Sequence, residues 1–446
     1  MSDWLSSDAA LAVADAPRFA VHGRVTRVIG QIVEATSLEV AVGEVCRVAV
    51  SRDAGVLAQV VGFHNRGIML MPLGDLDGIH PGDVVMPLGR ALYAEAGEGL
   101  IGRVLNGLGR PIDDDRSIGI TKRYPLTAEP PGPLERDRIT APLATGVRAI
   151  DGFLTLGRGQ RIGIMAGSGV GKSVLLGMIA RHTNADINVI ALLGERGREV
   201  REFIERDLGP EGLKRSVIIV STSDQAAVVR ATGALVATAI AEYFRDTGRD
   251  VLLMMDSVTR VAMAWREVGL SVGEPPTTKG YPPSVFAALP RLLERAGTGK
   301  RGSITGLYTV LVEGDDFNEP IADATRSILD GHVVLSRRLA NQKHFPAIDP
   351  LDSVSRVRDQ IISREDLDAA NSVLALEATF RNQEDLVTVG AYKAGTDPAL
   401  DAAIAIRPDL LALLRQRPEE SQTIADTAAV VRRIAARGRE LLGVTG

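Results

Sequence analysis

An eight-residue loop at residues 166–173, Ala-Gly-Ser-Gly-Val-Gly-Lys-Ser, narrows the choice of fold for this chain more than any other stretch. An apolar, strand-like stretch (161–165) precedes it, and a stretch with helical spacing (174–180) follows it. A phosphate-binding loop requires this context, because glycines let backbone N–H groups approach phosphate oxygens and the helix presents its positive N-terminus. Three glycines in five residues followed by Lys-Ser are hard to explain as an ordinary turn. The loop therefore predicts a nucleotide-binding site.

The side chains of the loop have separate predicted roles. Lys172 brings a positive charge to the terminal phosphates, and Ser173 holds magnesium. The first position of the usual G-x-x-x-x-G-K-[ST] pattern is Ala166 instead of glycine, which is tolerated if its φ stays negative. The predicted nucleotide contacts are Ala166, Gly167, Ser168, Gly169, Val170, Gly171, Lys172, Ser173 and Val174.

Length and charge limit the class of protein. A chain of 446 residues is too long for one ordinary core, so two or three domains are expected. The 51 basic and 56 acidic residues give a net charge of −5, which offers no bulk attraction to nucleic acid or anionic membrane. The single cysteine, Cys46, excludes an internal disulfide and is predicted to be a buried thiol.

No targeting segment is evident in the sequence. The N-terminus has neither a basic region nor a long apolar region, so we expect no secretory signal. The longest weakly polar run, residues 231–241, is too short to span a bilayer. The sequence therefore predicts a cytoplasmic protein, peripheral to a membrane only through partners.

The pattern along the chain predicts an N-terminal extension and three domains. Residues 1–18 are expected to be a flexible extension, with a short partner-binding helix at Trp4 and Leu5 as the alternative. Residues 19–95 have a period of two and predict a small antiparallel barrel, with a sandwich as the alternative. Residues 96–363 predict an α/β core, and residues 364–446 have helical spacing and predict a small helical domain.

Within the α/β core, unalternating apolar runs joined by helical stretches predict a parallel sheet covered on both faces. Residues 103–113 are predicted to be a turn-rich hinge, and residues 125–142 a proline-rich wrap. The predicted strands are 161–165, 187–193, 216–221, 251–255, 304–312 and 332–335.

Two carboxylates directly follow predicted strands, where ligands collect in α/β sheets. Asp256 ends an apolar strand and is predicted to orient magnesium, with a cap on the following helix as the alternative. Glu195 is a candidate to activate water or accept its proton. The alternative for Glu195 is a solvated ion-pair face shared with Arg196, Arg198 and Glu199.

Two further candidates lie near residues 346–356. Arg356 could supply positive charge at a γ-phosphate, although spacing alone also fits a surface arginine. Phe345 could stack on adenine or belong to the core.

Taken together, the phosphate loop, Gly194-Glu195-Arg196, the strand ending at Asp256 and the stretch 346–356 resemble the α/β-type rotary and secretion ATPases. Residues 346–355, Pro-Ala-Ile-Asp-Pro-Leu-Asp-Ser-Val-Ser, fit that family's signature at every position. Within the family the chain is most similar to the flagellar type III export ATPases and their injectisome relatives. The stretches that carry this likeness are 166–173 with its leading alanine, 194–200, 275–282 and 312–323.

The resemblance implies a RecA-like ATPase core in a ring, typically a homohexamer, with ATP and magnesium at subunit interfaces. It implies that Lys172 and Ser173 bind phosphate and magnesium and that Asp256 positions magnesium. It also implies that Glu195 activates the attacking water and that Arg196 lies near the γ-phosphate.

The resemblance also implies roles for two residues outside the phosphate loop, and it implies partner proteins. Arg356 matches the position of an arginine finger from the neighbouring subunit, and Phe345 stands where catalytic synthase subunits carry an adenine-stacking tyrosine. The implied partners are a stator-like regulatory protein, a central stalk protein, export chaperone–substrate complexes and a membrane export gate. The implied location is the cytoplasmic face of the inner membrane.

Four other functions compete with flagellar protein export. An injectisome ATPase shares every chemical motif. A catalytic rotary-synthase subunit is disfavoured because residues 397–401 show no counterpart of its acidic loop. A ring-shaped RNA motor would need an aromatic and basic cluster that residues 19–92 lack. A catalytically dead ring member is disfavoured by the complete set Lys172, Glu195, Asp256 and Arg356.

Overall fold

The computed structural model describes residues 21–50, 55–64, 67–114, 117–312, 314 and 316–443. The predicted extension at 1–18, with Trp4 and Leu5, lies outside the described residues, as do Glu313 and Asp315 of the stretch 312–323. The described residues divide into two compact units, those up to 92 with 270–274 and those from 93 to 269 with those from 275 onward.

The first unit contains a closed six-stranded antiparallel barrel. Alternate residues such as Val33, Val48 and Leu70 are buried inside it. Cys46 lies in this interior, where burial raises the pKa of its thiol to about 11. The predicted barrel and buried thiol are confirmed. The strands are β1 (Gly23–Ile29), β2 (Ile32–Thr36), β3 (Glu44–Ala49), β4 (Gly55–His64), β5 (Gly67–Pro72) and β6 (Val84–Ala91). Their order around the barrel is β1-β2-β5-β4-β3-β6.

The second unit is built on a nine-stranded sheet with the strands β8 (Val104–Asn106), β12 (Arg161–Ala166), β13 (Ile187–Leu193), β14 (Ser216–Ser221), β15 (Asp250–Asp256), β16 (Gly297–Thr298), β17 (Ser303–Leu311), β18 (Gly331–Leu335) and β19 (Ile348–Ser355). Their order is β19-β18-β12-β17-β15-β13-β14-β8, with β16 paired to β17. The six strands predicted from apolar runs all form and pair in parallel. Two small two-stranded sheets pair β7 (Tyr93–Ala96) with β9 (Lys122–Pro125) and β10 (Pro142–Leu143) with β11 (Leu156–Gly157).

The sheet corrects two details of the sequence interpretation. Residues 104–106 are not part of a hinge, because β8 pairs in parallel with β14 at the edge of the sheet. The sheet is also not wholly parallel, since β19 runs antiparallel to β18 and β16 antiparallel to β17. Strand β19 contains most of the family signature at 346–355, a stretch that is not among the strands predicted from apolar runs.

Helices cover the sheet and form the C-terminal end of the chain. Ten of them belong to the α/β part: α1 (Arg148–Phe153), α2 (Lys172–His182), α3 (Gly197–Glu202), α4 (Gly209–Leu213), α5 (Ala227–Asp246), α6 (Val258–Ser271), α7 (Pro283–Leu293), α8 (Pro320–Ile328), α9 (Arg337–Asn341) and α10 (Arg358–Ile361). A π-helix (Phe203–Leu208) and two 3-10 turns (Glu98–Leu100 and Thr278–Gly280) complete them.

The predicted C-terminal helical domain is confirmed as α11 (Arg364–Thr388), α12 (Pro398–Leu414) and α13 (Ile424–Leu441). Ser363 and Thr423 cap the first and last of these helices with their side-chain oxygens. Their buried residues join the same hydrophobic cluster as the central sheet, for example Val373, Ile406 and Ile434. The fold class predicted from the sequence is therefore correct.

Helix α5 is long and apolar enough to cross a membrane by length and composition alone. The apolar run 231–241 predicted from the sequence is shorter than this helix, which has 20 residues. However, 89% of its apolar window is buried inside the fold, where it packs against β13, β14 and β15. Its apolar character is that of a core helix.

Candidate nucleotide-binding site

The predicted phosphate loop connects the buried strand β12 to helix α2 at the carboxyl edge of the sheet. Gly169 and Gly171 have φ angles of 77° and 91°, a region that only glycine enters without strain. Ala166 ends the strand, and the positive-φ residues other than glycine in the described chain are Lys279 and Lys343. The alanine in the first position therefore fits the loop without distortion.

The loop borders a cavity of about 590 Å³. Loop residues form one wall, and Glu195, Arg196 and Arg260 contribute to the others. The structure thus brings the predicted phosphate ligands and one predicted catalytic carboxylate to a single space.

Lys172 joins the two predicted carboxylates of the site. Its Nζ donates a hydrogen bond to Oδ1 of Asp256 and lies 3.4 Å from Oε1 of Glu195. All three side chains are largely buried. Burial disfavours the charged lysine, but Asp256 and Glu195 outweigh it, and the pKa of Lys172 is raised. The ammonium group compensates two carboxylates at the place where terminal phosphates are expected.

The carboxyl group of Glu195 has a raised pKa, chiefly because the side chain is buried. Lys172 opposes the shift and the negative charge of Asp256 adds to it. A carboxylate with a raised pKa is a better proton acceptor than an ordinary glutamate, as a general base requires.

The alternative for Glu195, a solvated ion-pair face, applies to its neighbours instead. Arg196 is 82% exposed and pairs with Glu199, and Arg198 pairs with Glu202 in the same way. Glu195 itself turns inward to Lys172. Arg196 lines the cavity at its exposed rim.

The alternative for Asp256, a helix cap, does not describe its contacts. The hydroxyl group of Ser257 accepts the hydrogen bond from the Arg260 backbone N–H at the start of α6. Asp256 instead accepts hydrogen bonds from Lys172 and from the hydroxyl group of Thr309, 2.7 Å from its Oδ1.

Sequence reasoning missed two residues of the site. Thr309 is fully buried on β17, and its hydroxyl group orients the Asp256 carboxylate. Arg260 lines the cavity, and its Nε is buried without a hydrogen-bond partner among the residues that the structure describes. A polar residue in the apolar run 304–312 was a signal for Thr309, whereas no local pattern distinguishes Arg260 from other helix arginines.

Phe345 lies beside the end of the loop. A Cβ atom built on Gly171 would be 3.5 Å from its ring, and the residue is 41% exposed. A half-exposed aromatic face next to a phosphate loop suits a nucleotide base better than a protein core.

Arg356 is not brought to the loop of its own chain. It follows β19, whose last residue, Ser355, pairs with Gly331 at the start of β18. Ala166 pairs with Leu335 at the other end of β18, about 13 Å away at about 3.3 Å per residue. Arg356 therefore lies at the opposite edge of the sheet, where it is exposed.

The residues present fit a magnesium–nucleotide complex. The loop supplies backbone donors, Lys172 a cation, and Ser173 and Asp256 hard oxygen ligands. In the described part of the chain, no group of three or more His, Cys, Asp and Glu side chains is placed to hold a metal ion. With Ser173 and Asp256 as its protein ligands, magnesium would also need phosphate oxygens and water, as is usual for this small ion.

Comparison with known proteins agrees with this geometry. Residues 146–355 match the model of the ATP synthase alpha/beta family nucleotide-binding domain, and residues 25–89 match the model of its β-barrel domain. The chain belongs to the ATP synthase alpha/beta family. Residues 362–432 also match the C-terminal domain model of the type III secretion ATPase EscN, which places the chain in the secretion branch of that family.

Individual members of this alpha/beta family are similar over most of their length. The flagellum-specific ATP synthase of Bacillus subtilis (strain 168) is 52% identical over 412 residues, 92% of this chain and 94% of the relative. The type 3 secretion system ATPase of Xanthomonas euvesicatoria is 52% identical over 385 residues, 86% and 87% of the two chains. The structure of assembled EscN from enteropathogenic E. coli with its central stalk EscO has a TM-score of 0.87 and 44% identity, and covers 93% of this chain and 100% of that chain.

Proposed function

We propose that this chain is a magnesium-dependent ATP hydrolase that drives bacterial flagellar type III protein export. The observation that supports the proposal most is the contact of Lys172, on the phosphate loop, with both Glu195 and Asp256. A nucleotide-binding subunit without activity would need the lysine but not a buried glutamate with a raised pKa. The flagellum-specific relatives, about half identical over most of the chain, support the choice of export system.

In this proposal each residue of the site has one task. Lys172 exchanges its two carboxylate partners for the terminal phosphates, and the loop N–H groups orient the nucleotide. Glu195 accepts the proton of the attacking water. Ser173 and Asp256 hold magnesium, which neutralises charge on the phosphate oxygens when it is bound. Arg196 and Arg260 add positive charge at the wall of the cavity, and Phe345 contacts the adenine.

The proposed working form is a homohexameric ring with shared sites. Arg356 lies away from its own loop, and in a ring it would face the nucleotide of the neighbouring copy as an arginine finger. One chain that carries both Glu195 and Arg356 suits a ring of identical subunits. The assembled state of EscN, and its complex with a central stalk, support a ring and a stalk partner for this chain.

The remaining parts of the proposal concern location and further partners. The chain would work in the cytoplasm, at the inner membrane surface. Its partners there would be a stator-like regulatory protein, export chaperone–substrate complexes and a membrane export gate, and its function would not involve nucleic acid. We also propose that the chain divides near residues 95 and 363 into a barrel domain, a nucleotide-binding core and a helical domain.

The purified chain is expected to hydrolyse Mg-ATP with a specific activity that rises with protein concentration. Each complete site needs two copies, so dilution below the assembly threshold should remove activity. Steady-state phosphate release, measured beside sedimentation of the same samples, checks this. Constant specific activity in samples that sediment as monomers would contradict shared sites, and activity absent at every concentration would favour a finger from a different chain.

The injectisome relatives support a second candidate, a virulence-type secretion ATPase. If the chain serves flagellar export, deleting its gene from the natural host is expected to abolish motility and filament export and to leave secretion of effector proteins intact. The reverse result would assign the chain to an injectisome. A Lys172→Ala chain returned on a plasmid is the control, because it should assemble without restoring motility.

A further inference from the structure

The arginine at position 356 has a fixed backbone and an unused charge. Its backbone N–H donates a 3.0 Å hydrogen bond to the carbonyl oxygen of Asp330. Its guanidinium group is exposed and forms no hydrogen bond or ion pair with the residues that the structure describes. The surroundings therefore determine where the side chain begins and leave its charge available to another molecule.

A fully buried amide holds this backbone in place. Nε2 of Gln160 donates to the carbonyl oxygen of Asp330 at 3.2 Å and to Oγ of Ser355 at 3.1 Å. Oε1 of Gln160 accepts a hydrogen bond from the Gly157 N–H at 2.9 Å. Gln160 thus contacts the residue before Arg356 and the carbonyl group that Arg356 itself uses.

Asp330, whose carbonyl oxygen accepts the hydrogen bond from Gln160, is itself held in place. The carboxylate of Asp330 accepts hydrogen bonds from the backbone N–H, Nε and Nη2 of Arg161. Gly331, the next residue, sits so close to β19 that a Cβ atom would lie 2.2 Å from the Val354 carbonyl oxygen. The connection from Gln160 to Arg356 therefore has little freedom to shift.

We propose that Gln160 is a positioning residue that sets the place of the Arg356 guanidinium in the site of a neighbouring copy. This inference rests on the proposed ring, in which Arg356 acts on another subunit's nucleotide. Gln160 immediately precedes β12, which ends in the phosphate loop, so a competing role would be support of the loop in its own chain. The two roles act on different sites of the ring, and mixing experiments separate them.

Two substitutions change the amide and one changes its partner. Gln160→Glu keeps the shape and the bond from Gly157, but places an oxygen against the Asp330 carbonyl group. Gln160→Leu removes all three bonds of the amide. Ser355→Ala removes the bond from Gln160, together with the bond that Oγ of Ser355 donates to the Thr155 carbonyl oxygen. We expect the Gln160 variants to lower kcat by about 10- to 100-fold, because misplacing a catalytic group by about 1 Å costs that much. The KM for ATP should change little, and Ser355→Ala should have a smaller effect in the same direction.

Mixing each Gln160 variant with Glu195→Gln or with Arg356→Ala identifies the site that fails. A Gln160 variant offers an intact loop and Glu195 but a misplaced finger, so it should regain activity with Glu195→Gln, which supplies Arg356. About a quarter of the interfaces in a random equal mixture combine the two intact halves. The same variant should stay inactive with Arg356→Ala, because neither chain then supplies a working finger.

Other mixing patterns would overturn the inference. Recovery with Arg356→Ala alone would place the role of Gln160 at its own phosphate loop, and recovery with neither partner would make it a folding or assembly residue. Normal kcat in the Gln160 variants, beside inactive Arg356→Ala, would overturn this inference and leave the proposed function standing. Full activity of Arg356→Ala would instead remove the finger from the proposed function.

Asn188 provides a matched control for the loss of a buried amide. Its Nδ2 donates to the Ala180 carbonyl group at 2.9 Å and to Oγ of Ser216 at 3.2 Å, with no link to Arg356. We expect Asn188→Leu to lower the thermal unfolding midpoint about as much as Gln160→Leu does, while largely keeping kcat. An equal loss of kcat in both variants would overturn the specific role of Gln160.

Discussion

Replacing Glu195 by glutamine is expected to lower kcat for Mg-ATP hydrolysis on the order of 10²- to 10⁴-fold, the range of a lost general base. Glutamine has the same shape as glutamate but accepts no proton from water. Nucleotide binding should persist, because Lys172 and the loop glycines are unchanged and Asp256 still lies beside the lysine. Steady-state hydrolysis and equilibrium binding of a fluorescent ATP analogue, on the same preparation, check both parts.

The pH profile of the unmodified chain gives an independent reading of the same residue. Burial raises the pKa of Glu195, and a general base works only when ionised. Activity should therefore fall as the pH decreases through this raised pKa, at a higher pH than an ordinary glutamate would give. An acid limb at or below the ordinary pKa of glutamate would show that Glu195 is not the group that titrates.

Glu205 is the control for this substitution. It lies on the π-helix that follows α3, is mostly exposed and pairs with Arg201 outside the cavity. Glu205→Gln should keep nearly full activity. If Glu195→Gln also kept most of its activity, the proton of the attacking water would have to go to another group.

The parts of this site that sequence reasoning recovered are local in the chain. The phosphate loop is predictable because its glycines, lysine and serine lie within eight residues between a strand and a helix. Asp256 and Glu195 were found because each directly follows an apolar strand, and the carboxyl ends of parallel strands meet at one edge of the sheet. Their shared contact with Lys172 is a consequence of that topology.

The parts that sequence reasoning missed depend on neighbours far away in the chain. Strand β8 has three residues and a turn on either side, so its apolar pattern is too short to be recognised in the sequence. The strand forms because its backbone pairs with β14 at the edge of the sheet. Thr309 and Gln160 have roles only through Asp256 and Ser355, which are 53 and 195 residues away. No spacing rule within one stretch of sequence reports such pairs.

Strand β19 shows a different limit. Its one proline and four Asp and Ser residues in eight positions disfavour a strand by composition. In the sheet it is an edge strand, where a missing N–H donor costs little, and Asp349 is held by Arg381 from α11. Tertiary contacts therefore override local preference in the stretch that carries the family signature.

The largest expected loss of stability comes from Arg295, which is buried away from the nucleotide site. Its Nε and Nη2 donate to the two carboxylate oxygens of Glu242 at 2.8 and 2.6 Å, and Nη1 donates to the Leu126 carbonyl group. Both charged side chains are at most 5% exposed. Each charge is therefore tolerable only while the other is present.

Arg295→Leu is expected to destabilise the chain by about 3–5 kcal/mol, because Glu242 would remain buried without its partner. The double variant Arg295→Met with Glu242→Leu should recover most of this loss, since it removes both charges at once. Arg201→Leu breaks an exposed pair with Glu205 and should change stability little. Denaturant midpoints of the three variants decide the matter: equal shifts for Arg295→Leu and the double variant would mean that lost packing, and not an unpaired charge, governs this site.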